Sequence, residues 1–349
     1  MYIYKDLTIQ EFNQADLPAV RTFVEKTWSR PKSDDFYRWR YLDCPNAIGL
    51  LAKHRGEVLA MLWASRQTYL LKGTKTECLE LVDWATLPEW TKTGVGVLLM
   101  KKIMERPEPL IVVGGSQDTQ NLLPRLNWRK LGDVNGFLLP LGGKRIGEHI
   151  GNRLKGLKWP FQTFHSVFLK PWFKIQKKGR PAGIQVEKKE KMGYEVARLY
   201  QNRRDDISIP SCDTINWLLK APSEMGIYQL LHFSVDDQLK GWSLTRTRET
   251  ALGPEVSILD VFMTEELRGH LPWVVDEVVL NVPGAELDTI VAATNSKALC
   301  HAFRKNRFLP YKKFPFMMWR KEKSADLVTP TVGNNTSDIP LLPYPQPFD

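Results

Sequence analysis

Landmark residues of the first half of the chain return in the second half after an almost constant interval. The offset is 175 to 180 residues for five pairs: Trp39 and Trp217, Pro45 and Pro222, Asp83 and Asp260, Gly94 and Gly269, and Trp128 and Phe308. A constant interval of this length is typical of a tandem duplication. Chance matching in a chain rich in Leu and Trp is the alternative, because no single pair is strong. A duplication limits the fold to one that the chain can form twice.

The length of 349 residues is enough for two domains, each with its own core. Hydrophobic residues make up 43% of the chain and charged residues 25%, as in soluble globular proteins. No apolar run reaches the ~18 residues that a membrane-spanning helix requires. We therefore predict an N-terminal domain (1–143), a basic aromatic linker (144–182), a C-terminal domain (183–323) and a disordered Pro-rich tail (324–349).

The order of predicted elements in the first half favours an α/β fold. Residues 7–15 alternate like a strand, and Asp16 is a plausible N-cap for the helix that follows. Two strands joined by a turn at Arg55–Gly56 come next. A strand, a helix, the short buried strand within 109–116, a helix and a last strand complete the half. This order predicts an α+β arrangement around a mixed sheet.

Residues 88–99, with the sequence PEWTKTGVGVLL, separate a predicted strand from a predicted helix. The first amides of that helix lack intrahelical partners, and the helix dipole adds partial positive charge there. Two glycines let the backbone approach a ligand closely, and Lys92 adds a positive charge, so the stretch suits a pyrophosphate. A helix start with glycines used only for packing is the alternative. No Gly-Lys-Ser/Thr follows, which excludes the nucleotide P-loop. The stretch is also a poor dinucleotide fingerprint, since only two of its three glycines are present.

This stretch and its surroundings resemble the GNAT superfamily of acyl-CoA-dependent N-acyltransferases. The family signature, Arg/Gln-x-x-Gly-x-Gly/Ala, is similar to Thr91–Gly96, with Thr91 in the place of Arg or Gln. The order of elements before and after it also matches, and Asn121–Trp128 is similar to a later family element. The resemblance covers residues 7–140, and 183–320 resemble a second copy that keeps only Gly269 of the motif.

The resemblance implies two tandem GNAT-like domains, with an acetyl-CoA or other acyl-CoA site in the first. It implies an N-acetyltransferase that passes the acyl group directly to an amine, without a metal. The main chain of the strand before the loop would pair with pantetheine and polarise the thioester carbonyl, as an oxyanion hole does. The amides of the loop would bind the CoA pyrophosphate. The implied contacts are Trp84, Ala85, Thr86 and Leu87 on the strand, Lys92, Thr93, Gly94, Val95, Gly96 and Val97 in the loop, and Asn121.

Acetylation of an amine requires a base for the amine and an acid for the leaving thiolate. Glu80 and Asp83 are the candidate bases, and their spacing of three predicts opposite faces of a strand. Asp83 has the counterpart Asp260 in the copy that lost its loop, which favours a structural role for Asp83. The tyrosine that usually serves as the acid is absent from 121–128. Ser116 is a weak substitute, because a serine there is more typical of a helix cap.

The net charge of +10 lies almost entirely in residues 144–180, which hold ten Lys or Arg and one acid. Aromatic residues recur there at helical spacing, so 155–178 could lie on an anionic membrane surface. A linker helix that packs its aromatic residues on both domains is the favoured alternative. Nucleic acid is a less favoured partner, because no nucleic-acid-binding motif accompanies the charge.

Four cysteines lie far apart without a C-x-x-C pair, and the histidines show no metal-ligand spacing. We therefore expect a cytoplasmic protein, peripheral to a membrane at most, without a metal site. Trp39 and Trp217 recur in both halves, which favours core packing over stacking on a substrate. Two other functions stay open: an aminoacyl-tRNA-dependent transferase of the tandem cell-wall type, and an inactive binding or scaffold protein.

Overall fold

A computed structural model describes residues 6–28, 32–71, 73–142, 179–200, 207–251, 253–282 and 287–321. Within these residues, thirteen strands form one continuous mixed sheet. The strands are β1 (Leu7–Glu11), β2 (Ala47–His54), β3 (Glu57–Leu71), β4 (Thr74–Thr86), β5 (Leu110–Val113), β6 (Arg129–Pro140), β7 (Ile184–Lys189), β8 (Ile207–Ile209), β9 (Ile227–Val235), β10 (Gln238–Thr250), β11 (Gly253–Met263), β12 (Thr289–Thr294) and β13 (Leu309–Trp319). The mixed α/β fold expected from the sequence is confirmed.

The described helices are α1 (Leu17–Trp28), α2 (Asp34–Tyr41), α3 (Val95–Ile103), α4 (Gln117–Leu122), α5 (Cys212–Leu219), α6 (Glu265–Arg268), α7 (Leu271–Leu280) and α8 (Lys297–Lys305). Four of them begin after a serine whose hydroxyl accepts a main-chain hydrogen bond: Ser33, Ser116, Ser211 and Ser296. Asp16 is not the N-cap predicted above. Asn13 caps the turn before α1, and the Asp16 carboxylate accepts from the Asn13 amide at 3.0 Å in a capping box.

The two halves of the sheet exchange their last strands. Strands β1 to β5 stand side by side in the first half, as β7, β9, β10, β11 and β12 do in the second. The last strand of the first half, β6, pairs with β12, while the last strand of the second half, β13, pairs with β5. The two exchanged strands also pair with each other at the centre. Each half therefore completes the sheet of the other.

The same irregularity occurs at the same place in both halves. The register between β3 and β4 slips at Val82, so that Leu81 faces Ala64 and Asp83 faces Trp63. The register between β10 and β11 slips in the same way at Leu259. Such bulges insert one unpaired residue and turn the following side chains to the other face. The repeated order and the repeated bulge support a duplication, whereas the predicted domain boundaries stay a prediction.

Trp39 and Trp217 form a symmetric pair between the halves. Their rings stack with centroids 4.3 Å apart and planes inclined by 10°. Each indole Nε1 donates to the main-chain carbonyl of the other residue, at 3.0 Å and 2.8 Å. Both side chains belong to one hydrophobic core that extends through both halves. The prediction that these tryptophans pack in the core is confirmed.

The basic segment and the Pro-rich tail fall mostly on residues that the structure does not describe. The predictions of membrane contact through 155–178 and of a disordered tail lie outside the described residues. Among the described helices, none is long and apolar enough to cross a membrane.

Candidate functional site

Gly94 sets the geometry of the loop before α3. It ends a 3-10 helix (Pro88–Thr93) and precedes α3 with φ +82° and ψ 5°, a left-handed conformation that favours glycine. The first main-chain hydrogen bond of α3 runs from the Leu98 amide to the Gly94 carbonyl, at 3.1 Å. The amides of residues 95–97 therefore have no acceptor within the helix, and the positive end of the helix dipole lies beside them.

Gly96 has a different role from Gly94. A Cβ at this position would lie 2.5 Å from the Thr86 hydroxyl oxygen, so only glycine lets α3 approach β4 this closely. The Trp84 indole Nε1 donates to the Gly96 carbonyl at 3.0 Å and joins the same two elements. Gly96 therefore has the packing role that the sequence left open. Gly94 instead allows the left-handed backbone conformation of the loop.

Strands β4 and β5 separate beside this loop. They pair in parallel only at Leu79 with Leu110 and at Glu80 with Ile111, although β4 continues to Thr86. A cavity of about 240 Å³ opens where they part. Its walls come from β4 (80–85), the end of β5 with the following loop (112–116), and β13 (312–315).

The strand and loop residues predicted to contact a ligand fall into two groups. Trp84 and Ala85 line the cavity. Thr86 instead packs under Gly96, and the buried Leu87 donates its amide to the Leu59 carbonyl at 2.9 Å. No loop residue lines the cavity, since Met100 is the one residue of α3 that reaches it.

Glu80 and Asp83 both line the cavity and are each 4% exposed. The expectation that they point to opposite faces is wrong, because the bulge at Val82 restores them to one face. They pair with Ser65 and Trp63, which are two apart on β3 and therefore share a face. The bulge thus brings two carboxylates to one side of the sheet.

Asp83 forms an ion pair with Arg40 of α2 inside the protein. The Arg40 Nη2 lies 2.7 Å from the Asp83 Oδ2, and the two side chains are 0% and 3% exposed. Burial raises the pKa of the Asp83 carboxyl, and the Arg40 guanidinium opposes that rise. Sequence analysis missed Arg40, although its position four residues after Phe36 places it on the apolar face of α2. The pairing favours a structural role for Asp83.

The second half lacks this ion pair. Asp260 occupies the place of Asp83, but Leu218 follows Trp217 where Arg40 follows Trp39. Among the described residues, neither carboxyl oxygen of Asp260 has a hydrogen-bond partner of ordinary geometry, and the side chain is 1% exposed. Burial raises the pKa of Asp260 well above its usual range, and the main-chain amide of Val261 opposes the rise. The two halves therefore hold equivalent aspartates in different surroundings, one paired with a buried guanidinium and the other beside a leucine.

The helix after β5 places its residues differently from the prediction. Thr119 and Gln120 line the cavity, whereas Asn121 is exposed and accepts a hydrogen bond from Gln117 at 3.0 Å. Ser116 caps α4, accepting from the Thr119 amide at 3.2 Å, so the expectation of a helix cap is confirmed. Among the described residues, no three His, Cys, Asp or Glu side chains cluster as a metal site requires.

Part of the first half also matches a known protein family in sequence. Residues 9–109, which run from β1 to the end of α3 and beyond, match the model of the acetyltransferase (GNAT) family. Over these residues the first half of the chain is therefore similar to GNAT acetyltransferases. No curated protein matches the sequence.

Solved structures of N-acyltransferases share the fold of most of the chain. Saccharomyces cerevisiae N-myristoyltransferase with bound myristoyl-CoA has a TM-score of 0.62 at 14% identity, over 91% of this chain and 84% of that chain. A GCN5-related N-acetyltransferase from Anabaena variabilis has a TM-score of 0.62 at 12% identity, over 89% and 72%. A GCN5-related N-acetyltransferase from Kribbella flavida has a TM-score of 0.57 at 13% identity, over 90% and 71%. Identities this low show a common fold.

Proposed function

We propose that the chain is an N-acyltransferase that passes an acetyl or other acyl group from acyl-CoA directly to an amine. The observation that carries the proposal is the gap between β4 and β5, with its cavity, beside the first amides of α3, which have no acceptor within the helix. The GNAT match of residues 9–109 supports a site in the first half. The neighbouring N-myristoyltransferase with bound myristoyl-CoA supports acyl-CoA as the donor.

The donor would run along α3. Its pyrophosphate would meet the amides of residues 95–97, with the exposed Lys92 nearby. Met100, at the cavity, is six residues after Gly94, which is ~9 Å along a helix. The pantetheine arm would cover this distance and enter the gap. There it would pair with the main chain at Trp84 and Ala85 in the place of a neighbouring strand.

Glu80 is the proposed base. Glu80 is a buried carboxylate that lines the cavity where β4 and β5 part, and Asp83 forms an ion pair with Arg40. In the proposed reaction Glu80 removes a proton from the amine, the nitrogen attacks the thioester carbon, and the carbon–sulfur bond breaks. Main-chain amides of β4 stabilise the oxyanion, and the proton that Glu80 took up passes through water at the open end of the cavity to the CoA thiolate.

Thermal denaturation with and without acetyl-CoA tests the proposal. At 100 times its dissociation constant, the ligand stabilises the folded chain by about 2.7 kcal/mol. Longer acyl-CoA molecules, up to myristoyl-CoA, measure the preferred chain length. Absence of a shift with every acyl-CoA would contradict the enzyme and favour the scaffold alternative.

Two glycine variants make the test specific. Gly94→Ala should lose the acetyl-CoA shift, because a Cβ at φ +82° displaces the loop. Gly56→Ala is the matched control, since Gly56 has φ +86° in the turn between β2 and β3 and no atoms near its Cβ position. Both variants carry a similar strain, but Gly56→Ala should keep the full shift.

A further inference from the structure

The exchanged strand β13 brings charged residues of the second half to the proposed site of the first. Lys312, Lys313, Phe314 and Pro315 form one wall of the cavity. The strand is held there by its pairing with β5 and by a hydrogen bond from the Gly114 amide to the Pro315 carbonyl, at 2.9 Å. This wall could not be assigned to the site from sequence, since it lies about 200 residues after β4 in the chain.

The charges of the cavity are segregated by depth. Its acidic lining residues, Glu80 and Asp83, are buried, whereas its lysines, Lys312 and Lys313, are exposed at the rim. The Lys312 ammonium lies 5.3 Å from the centroid of the Phe314 ring, which also lines the cavity. The Lys313 side chain forms no ion pair with any residue that the structure describes. The interior is therefore acidic and the rim basic.

These lysines are separate from the proposed pyrophosphate loop. No residue of 88–99 lines the cavity, and the amides of 95–97 lie ~4.5–7.5 Å along the helix before Met100. The donor phosphates would therefore be bound at α3, on a different element from β13. The rim lysines therefore lie outside the proposed pyrophosphate loop.

We propose that Lys312 and Lys313 select an amine acceptor that also carries an anionic group, a carboxylate or a phosphate. The amine would enter toward Glu80, and the anion would stay at the rim against the lysines. A charge-assisted hydrogen bond at such a site corresponds to about a tenfold gain in affinity. The inference rests on the proposed function and names the class of its acceptor.

Binding to the CoA-loaded protein tests this without requiring turnover. Isothermal titration compares O-phosphoethanolamine with ethanolamine, and glycine with glycinamide, so that each pair differs in the anionic group. We expect the anionic member of at least one pair to bind about tenfold more tightly to the wild type. The double variant Lys312→Ala/Lys313→Ala should remove that preference. Lys188→Ala is the matched control, an exposed lysine on β7 outside the cavity, and should retain it.

Three results would overturn the inference: equal affinity within both pairs, a preference that survives the double variant, or a double variant that loses affinity for CoA itself. The last result would assign the lysines to the donor. Binding of acetyl-CoA to the wild type is measured separately, because its absence would contradict the proposed function itself. If acetyl-CoA stabilises the protein and neither pair shows a preference, only the acceptor class is wrong.

Discussion

Replacing Arg40 with Leu gives the first half the residue type that the second half has at the equivalent position, Leu218. The variant leaves Asp83 beside a leucine, as Asp260 lies beside Leu218. Since the Arg40 and Asp83 side chains are 0% and 3% exposed, solvent screens their interaction little. Removing one partner of a buried ion pair costs about 3–5 kcal/mol, because it leaves an uncompensated charge. We expect a loss of this size in the free energy of unfolding at neutral pH.

The pH dependence distinguishes this mechanism from a packing defect. Without Arg40, only the hydrogen bond with Tyr41 opposes the effect of burial on Asp83, so the pKa of Asp83 in the folded variant rises further above the ~3.9 of an unfolded aspartate. A raised folded pKa means that stability is complete below pH ~3.9 and falls as pH rises, by up to about 1.4 kcal/mol per pH unit. The difference between wild type and Arg40→Leu should therefore widen from pH 4 to pH 7.

Urea denaturation followed by tryptophan fluorescence at several pH values measures this difference. The double variant Arg40→Leu/Asp83→Asn removes the charge as well and should be more stable than Arg40→Leu alone at pH 7. A loss under about 1 kcal/mol for Arg40→Leu, or a difference that stays constant with pH, would refute the reasoning. Equal stability of the single and double variants would refute it too.

Three further results are expected. Asp260→Asn should stabilise the protein at pH 7 and leave it unchanged near pH 4, in urea denaturation, because the raised pKa of Asp260 costs stability as pH rises; destabilisation at pH 7 would contradict this. Gly96→Ala should cost about 1–3 kcal/mol through its contact with the Thr86 hydroxyl, and Thr86→Ala should recover part of that loss in a double-mutant cycle. Glu80→Gln should lower kcat about 10²–10⁴-fold while the acetyl-CoA thermal shift stays intact, and an unchanged kcat would remove Glu80 as the base.

Local signals carried most of what could be predicted from the sequence. Residues 88–99 predicted a loop between a strand and a helix, because the two glycines and the apolar run that follows them lie close together in the sequence. The strand carrying Glu80 and Asp83 was expected from its composition and is β4. The repeated Trp39 and Trp217 predicted core packing, and the stacked pair confirms it.

Three features depend on contacts that no local pattern specifies. The bulge at Val82 adds one residue to β4, and sequence alternation cannot locate it, so the faces of Glu80 and Asp83 were assigned wrongly. Arg40 was missed because a charged residue beside aromatic residues is normally assigned to the surface. The wall formed by β13 depends on pairing between distant segments, which the order of elements within each half does not show.

Because β6 and β13 are exchanged between the halves, one edge of β5 stays unpaired while the rest of the chain is synthesised. When β5 leaves the ribosome, the strand that will cover its free edge still lies about 200 residues ahead. At 5–20 residues per second, that edge waits for roughly 10–40 s. A chain cut after the first half would never close it and would present an unpaired edge to other molecules. Each half therefore needs a strand of the other to complete its sheet, and neither half is a self-sufficient folding unit.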